Sequence, residues 1–253
     1  MKERFSANLG FLWKDRSVEE RVRRAAAAGF GLVEFHDEPQ RIGAPPLRRL
    51  LDRLALRAVA LNSFMGASTG RAAIPGQEEK ARADIAEAIA CAAAIGAGSV
   101  HVTAGRVPAT VASRATYAGN LAFACDAAAG AGLTVLIEPI SQKAVPGYFL
   151  GSLEQAAGFI ETLARPNLKL LFDCFHVHAM EHDLLTAFAR HAPMIGHVQI
   201  AGVPGRNEPE GGTVDWPRLL RAFCAAGYGG PFGCEYTPRA GVEEGLQWRE
   251  AFA

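Results

Sequence analysis

Apolar and polar positions along the 253-residue chain alternate between two rhythms. Short runs rich in β-branched, leucine and aromatic residues begin near Phe5, Leu32, Arg57, Ser99, Thr134, Leu168, Ile195 and Gly233. Between them lie longer Ala/Leu/Arg stretches of helical period. These predict helices over residues 17–28, 46–54, 77–95, 111–131, 152–163, 184–190, 216–226 and 242–251. Gly29 and Gly31 close the first helix, Gly130 and Gly132 the fourth, and Gly227 the seventh. Ser17 with Glu20 three residues on reads as a capping box at the first helix start.

Eight strand–helix units in this length match a (β/α)8 TIM barrel in both count and size. The strands read as continuous apolar runs, as expected when the barrel core covers one face and helices the other. An open doubly wound sheet alternates strand and helix too, but eight parallel strands at this length are less usual for it. No Gly-x-Gly-x-x-Gly follows the first strand and no P-loop occurs, which weakens nucleotide-binding readings. No Pro/Gly/Ser linker divides the chain, so residues 1–253 read as one barrel domain. Residues 67–75 and 202–214 read as long loops upon it.

Composition narrows the classes further. With 49% hydrophobic and 21% charged residues, the chain is not intrinsically disordered. Alanine supplies 47 residues, and outside low-complexity sequence it belongs chiefly in helices. The formal net charge of +0 argues against a nucleic-acid partner, which needs a local excess of Lys and Arg. Five cysteines without a Cys-x-x-Cys pair make a disulfide framework or zinc ribbon improbable. The first residues lack the apolar core and cleavage site of a signal peptide. The most apolar long window, residues 81–100, carries Arg82, Asp84 and Glu87, so it is not a membrane span. A soluble, reduced, cytoplasmic protein without a membrane partner is expected. A helix face rich in Ala or Phe could serve a homo-oligomer or simply pack on the barrel.

In a barrel, chemistry gathers where strands end and the following loops begin. The strand TVLIE ends in Glu138, LKLLFD in Asp173, IGHVQ in Gln199 and FGCE in Glu235. Any one of these alone reads as a helix cap or surface carboxylate. Four oxygen-bearing side chains at the same place on consecutive strands converge, and a cap would not call for glutamine. An all-oxygen set with three carboxylates suits a hard divalent cation such as Mg²⁺ or Mn²⁺. Glu138, before Pro139 and after four apolar residues, is an expensive place for an unpaired charge. Glu138 and Glu235, three strands apart, can flank a substrate. They could then pass a proton between neighbouring carbons of a metal-bound α-hydroxy carbonyl through an enediolate. His176, three residues after Asp173, is either a structural histidine or one placed to donate to the substrate oxygen that gains charge. Arg206 is either a solvated loop cation or a two-handed clamp for a substrate carboxylate. His176 and His178 form a His-x-His, but no further ligand at zinc spacing accompanies them.

These segments resemble the hydroxypyruvate isomerase family of the xylose-isomerase-like TIM barrels. The resemblance runs through FSANLGFLW, AAIPGQEEK, IEPIS…PGYFL, FDCFHVHAM, IGHVQIAGVPGRNEP, GGTVDW and GCEYTP, nearly the whole chain. It implies an isomerase without an organic cofactor that converts hydroxypyruvate to tartronate semialdehyde, with relatives acting on 2-oxo-tetronates or ketoses. It also implies Glu138, Asp173, Gln199 and Glu235 as metal ligands, Glu138 and Glu235 as the acid/base pair, and His176 and Arg206 as substrate contacts. The chain departs from the family pattern at Ser141, His178, Thr213, Thr237 and residues 61–66, all near strand ends. Those departures bear on substrate choice and leave the ligand set in place.

The sequence therefore predicts a single-barrel isomerase acting on a small hydroxy-oxo acid or sugar. Isomerisation of a 2-oxo-tetronate or epimerisation of a ketose at C3 are the near alternatives. A barrel that only binds a metabolite is the alternative from another class, and the paired carboxylates argue against it. A metal-dependent nuclease would call for His-rich multi-zinc ligands and a basic face, which this chain lacks.

Overall fold

Strand formation follows the predicted starts closely. The computed structural model describes residues 1–252 and contains β1 (Phe5–Asn8), β2 (Leu32–Glu34), β3 (Arg57–Ala58), β4 (Ala60–Asn62), β5 (Ser99–His101), β6 (Thr134–Ile137), β7 (Leu168–Asp173), β8 (Ile195–Ile200) and β9 (Phe232–Cys234). All pairings are parallel, in the order β3-β2-β1-β9-β8-β7-β6-β5-β4. The two outermost strands are one run of chain parted at Val59. Val59 donates to Val33 O at 2.8 Å and accepts from Gly98 N at 3.0 Å, which carries the ladder across the gap. Nine strands thus make the eight staves of a nearly closed barrel.

The helices are α1 (Val18–Ala27), α2 (Glu38–Ile42), α3 (Ala44–Arg53), α4 (Glu78–Ile95), α5 (Val111–Ala129), α6 (Leu153–Leu163), α7 (Cys174–Glu181), α8 (Leu184–His191) and α9 (Trp216–Ala225). Two of them, α2 and α7, were not expected from periodicity. Helix α7 starts directly on the strand end, capped by Asp173, so the apolar run FDCFHV spans two elements without a break. The stretch expected as a last helix is a 3-10 segment, Glu244–Phe252. The Ser17 cap forms, with its Oγ accepting from Glu20 N at 3.3 Å, but the Glu20 carboxylate turns to Arg24 instead of closing the box. A reciprocal box stands at α5, between Thr110 and Ser113.

The alanines lie where helix meets helix and barrel. Ala88 and Ala92 of α4 and Ala124 and Ala128 of α5 are buried in the main apolar core, where their small side chains let the two longest helices lie close on the barrel. Inside the barrel, Ala60, Leu136 and Leu171 form a small apolar plug. The larger core fills the layer between strands and helices and includes a stacked Phe188–Phe223 pair with centroids 3.9 Å apart. Trp248 and Phe252 of the 3-10 segment pack edge-on against Phe5, filling the gap beside β1 and β9. No helix among the described residues is long and apolar enough to cross a membrane. All five cysteines are unpaired.

Candidate active site

The strand ends gather the four residues expected at the rim. Asp173 closes β7, and Gln199, its register partner, is the penultimate residue of β8. Glu138 and Glu235 each follow their strands, β6 and β9, by one residue. All four are buried. Asp173 divides its oxygens: Oδ1 accepts from Phe175 N at 2.8 Å as the cap of α7, while Oδ2 faces the site. That cap lends the carboxylate the helix N-terminus as well.

Arg206 ties the acids together. Its Nη2 donates to Asp173 Oδ2 at 2.9 Å and to Glu235 Oε1 at 2.7 Å, and its guanidinium lies between the rings of Phe11 and Phe175. Arg206 has φ 54, a left-handed backbone that turns its side chain inward from the 202–214 loop. Glu235 Oε2 accepts from Asn8 Nδ2 at 2.7 Å. Glu138 is less provided for: His101 Nδ1 stands 3.6 Å from its Oε2 and His176 Nε2 3.8 Å from its Oε1, which has no hydrogen-bond partner.

Burial and like charge set the protonation behaviour. Burial first, then Glu235 and Asp173, push Glu138 well above the usual carboxylate range, with Arg206 pulling the other way. Glu235 is raised to about 8 by burial, opposed chiefly by Arg206. His176 is lowered to about 4 and His101 to about 3, chiefly by burial, so both imidazoles are neutral at physiological pH. His176, expected as a substrate donor, stands with Glu138 and Asp173: one ligand atom from each lies within 4.8 Å of the others. Its Nδ1 is 3.4 Å from Ser141 Oγ, so that departure from the family pattern touches the site directly.

Gln199 reaches the rim by way of a layer that the sequence reading passed over. Its Nε2 donates to Glu34 Oε2 at 3.0 Å, leaving its Oε1 buried and without a partner. Glu34, Asn8 and His101 are themselves strand-end residues of β2, β1 and β5. The rule that found Glu138 and Asp173, applied to the first half of the chain, finds them too. Of the remaining departures, two line a hollow in which none of the four rim residues takes part, and two brace neighbouring backbone or side chains. His178 and Thr213 line a hollow of about 260 Å³ with His182, Asp215 and Arg218. Thr237 N donates to Arg206 O at 2.8 Å, bracing the arginine loop, and Ser63 Oγ pairs with Thr103 Oγ1 at 2.9 Å.

A parallel eight-stave barrel with acids at its C-terminal rim defines a class of barrel enzyme. The chain belongs to the xylose isomerase-like TIM barrel family, whose model matches residues 22–252. It is 41% identical to a 2-oxo-tetronate isomerase of Cupriavidus necator over 98% of each chain. It is 34% identical to the hydroxypyruvate isomerase of Escherichia coli K12, covering 98% of this chain and 99% of that one. A solved structure from Brucella melitensis, described as an AP endonuclease of family 2, superposes with a TM-score of 0.93 at 34% identity, covering 99% of both chains. The named curated relatives support an isomerase role for this chain.

Proposed function

We propose that the chain isomerises a short 2-oxo acid bearing a hydroxyl on C3, of which hydroxypyruvate and 2-oxo-tetronate are examples. The observation that carries this is the pair Glu138 and Glu235, both buried, both raised in pKa and joined electrostatically through Arg206. Burial and like charge make these carboxyls more basic than free ones, as abstraction of a carbon-bound proton requires. A site that only bound a metabolite would gain nothing from burying them.

The reaction moves one proton from C3 to C2 and one from the C3 hydroxyl to the C2 oxygen. Hydroxypyruvate then becomes tartronate semialdehyde, and nothing is oxidised or reduced overall. One carboxylate takes the carbon-bound proton and the other returns one, with the substrate between them. Arg206, held by Phe11 and Phe175, has N–H groups beyond Nη2 for the substrate carboxylate. Neutral His176 offers a hydrogen bond to the oxygen on which charge builds.

The donor set fits a hard divalent cation. Glu138 Oε1 and Gln199 Oε1 are buried without partners, Asp173 Oδ2 and Glu235 Oε1 share a guanidinium as their present cation, and ligand atoms of Glu138, Asp173 and His176 lie within 4.8 Å of one another. Mg²⁺ or Mn²⁺ held by Glu138, Asp173, Gln199 and Glu235 would polarise the substrate carbonyl as a Lewis acid.

The 41% identity to a 2-oxo-tetronate isomerase favours the four-carbon acid over the three-carbon one. Both substrates exchange protons at the same two carbons, so the site chemistry is common to them. Incubating the chain with Mg²⁺ or Mn²⁺ and each acid in D₂O tests the proposal by NMR. Deuterium should enter C2 of the product and, by reversal, C3 of the substrate. Saturable binding of both acids without any deuterium incorporation would overturn it.

A further inference from the structure

The geometry points to Glu34 as the residue that fixes which end of the Gln199 carboxamide is left free to take a divalent cation, the oxygen end. This positioning role rests on the reading of Gln199 as a ligand. Glu34 is buried inside the barrel at the end of β2, and its two oxygens meet three groups. Ser6 Oγ donates to Oε1 at 2.8 Å, while His197 Nε2 and Gln199 Nε2 each lie 3.0 Å from Oε2. His197 and Gln199 are two residues apart on β8, hence on its same inward face.

A carboxamide is nearly symmetric in shape but not in chemistry. A half-turn about its last bond exchanges a donor for an acceptor at the same place. Only the NH₂ end is favourable against a carboxylate oxygen, so Glu34 dictates which end of Gln199 it receives. The other end, Oε1, is thereby turned away from Glu34, and it is buried without a protein partner. A hard cation takes a carboxamide by its oxygen, so Glu34 would set the ligand without touching the ion. Ser6 and His197 hold Glu34 in turn. Gly233, register partner of Gln199, leaves the room for this pair: a Cβ there would run into Glu34 Oε1 and stand 2.8 Å from Gln199 Cγ.

Mn²⁺ binding measured by calorimetry, without substrate, tests the role in Gln199→Ala, Glu34→Met and the double variant. Gln199→Ala should weaken binding. Glu34→Met should weaken it by about tenfold to a hundredfold, the usual cost of losing an orienting partner. Glu34→Gln, which keeps one acceptor oxygen, should weaken it less. The double variant should lose clearly less than the sum of the two single losses, because Glu34 acts mainly through Gln199, with its charge felt besides at Glu138 and Glu235. If Gln199→Ala binds Mn²⁺ as the unmutated chain does, Gln199 is no ligand and the inference falls with that reading. If Gln199→Ala weakens binding but Glu34→Met does not, or the two losses add, the ligand stands and the positioning role is overturned. Should Glu34→Met fail to fold, the unmutated chain decides by ¹⁵N NMR. Gln199 carboxamide protons that exchange slowly before and after Mg²⁺ loading support the role, and a freely rotating carboxamide refutes it.

Discussion

Arg206 Nη2 donates to Glu235 Oε1 at 2.7 Å while reaching Asp173 Oδ2 at 2.9 Å, so one guanidinium holds two acids that would otherwise repel. Removing one member of a buried ion pair costs about 3–5 kcal/mol because the other charge is left unpaired. The Arg206 side chain retains some exposure, at 19%, which places the cost toward the lower end. Arg206→Met should therefore destabilise the metal-free chain by about 3 kcal/mol in urea unfolding. Added Mg²⁺ should stabilise the variant more than the unmutated chain, since a cation then meets acids with no competitor. Equal Mg²⁺ gains in the two proteins would separate the arginine from the cation site.

Gly233 makes a steric prediction. Its backbone is extended, so an alanine would not be strained in φ, but the new methyl would collide with Glu34 and crowd Gln199. Overpacking of this kind costs about 1–3 kcal/mol. Gly233→Ala should lower the urea midpoint accordingly and also weaken Mn²⁺ binding. A variant of unchanged stability and Mn²⁺ affinity would show that the barrel interior has slack at this point.

His191, at the end of α8, should make the fold sensitive to acid. It is buried with Nε2 unpartnered, and burial, aided by Arg190, holds its imidazole below the usual value of 6.5 against the pull of Glu154, Glu181 and Glu161. The unfolded chain therefore takes up a proton near pH 6.5 that the folded chain refuses. Stability is lost as pH falls below 6.5 toward the folded value, and this group contributes nothing above it. His191→Gln should show a smaller drop in thermal midpoint between pH 7.5 and 5.5 than the unmutated chain. An identical drop would assign the sensitivity to other groups.

Periodicity was enough for the staves, because strands buried on both faces read as unbroken apolar runs between helical stretches. It failed at α7, where Asp173 ends a strand and caps a helix at once, so no polar break marks the junction. It also failed to show that the third stave parts at Val59. The rim acids were legible as strand-end oxygens because isolated charges after apolar runs are costly. What spacing cannot express is which atom faces which: that Asp173 shares Arg206 with Glu235, that His176 stands with Glu138 and Asp173, and that Gln199 reaches Glu34 across the barrel. Glu34 and His101 carried the same strand-end signal in the first half of the chain.

Glu138 and Glu235 are the groups proposed to exchange protons with substrate carbon. Removal of a general acid or base costs about 10²–10⁴-fold in rate. NMR of deuterium entering hydroxypyruvate or 2-oxo-tetronate from D₂O should show incorporation by the unmutated chain with Mg²⁺. In Glu138→Gln and Glu235→Gln, with the acid still bound, incorporation should fall by that factor. Incorporation at the unmutated rate in either variant would contradict the account.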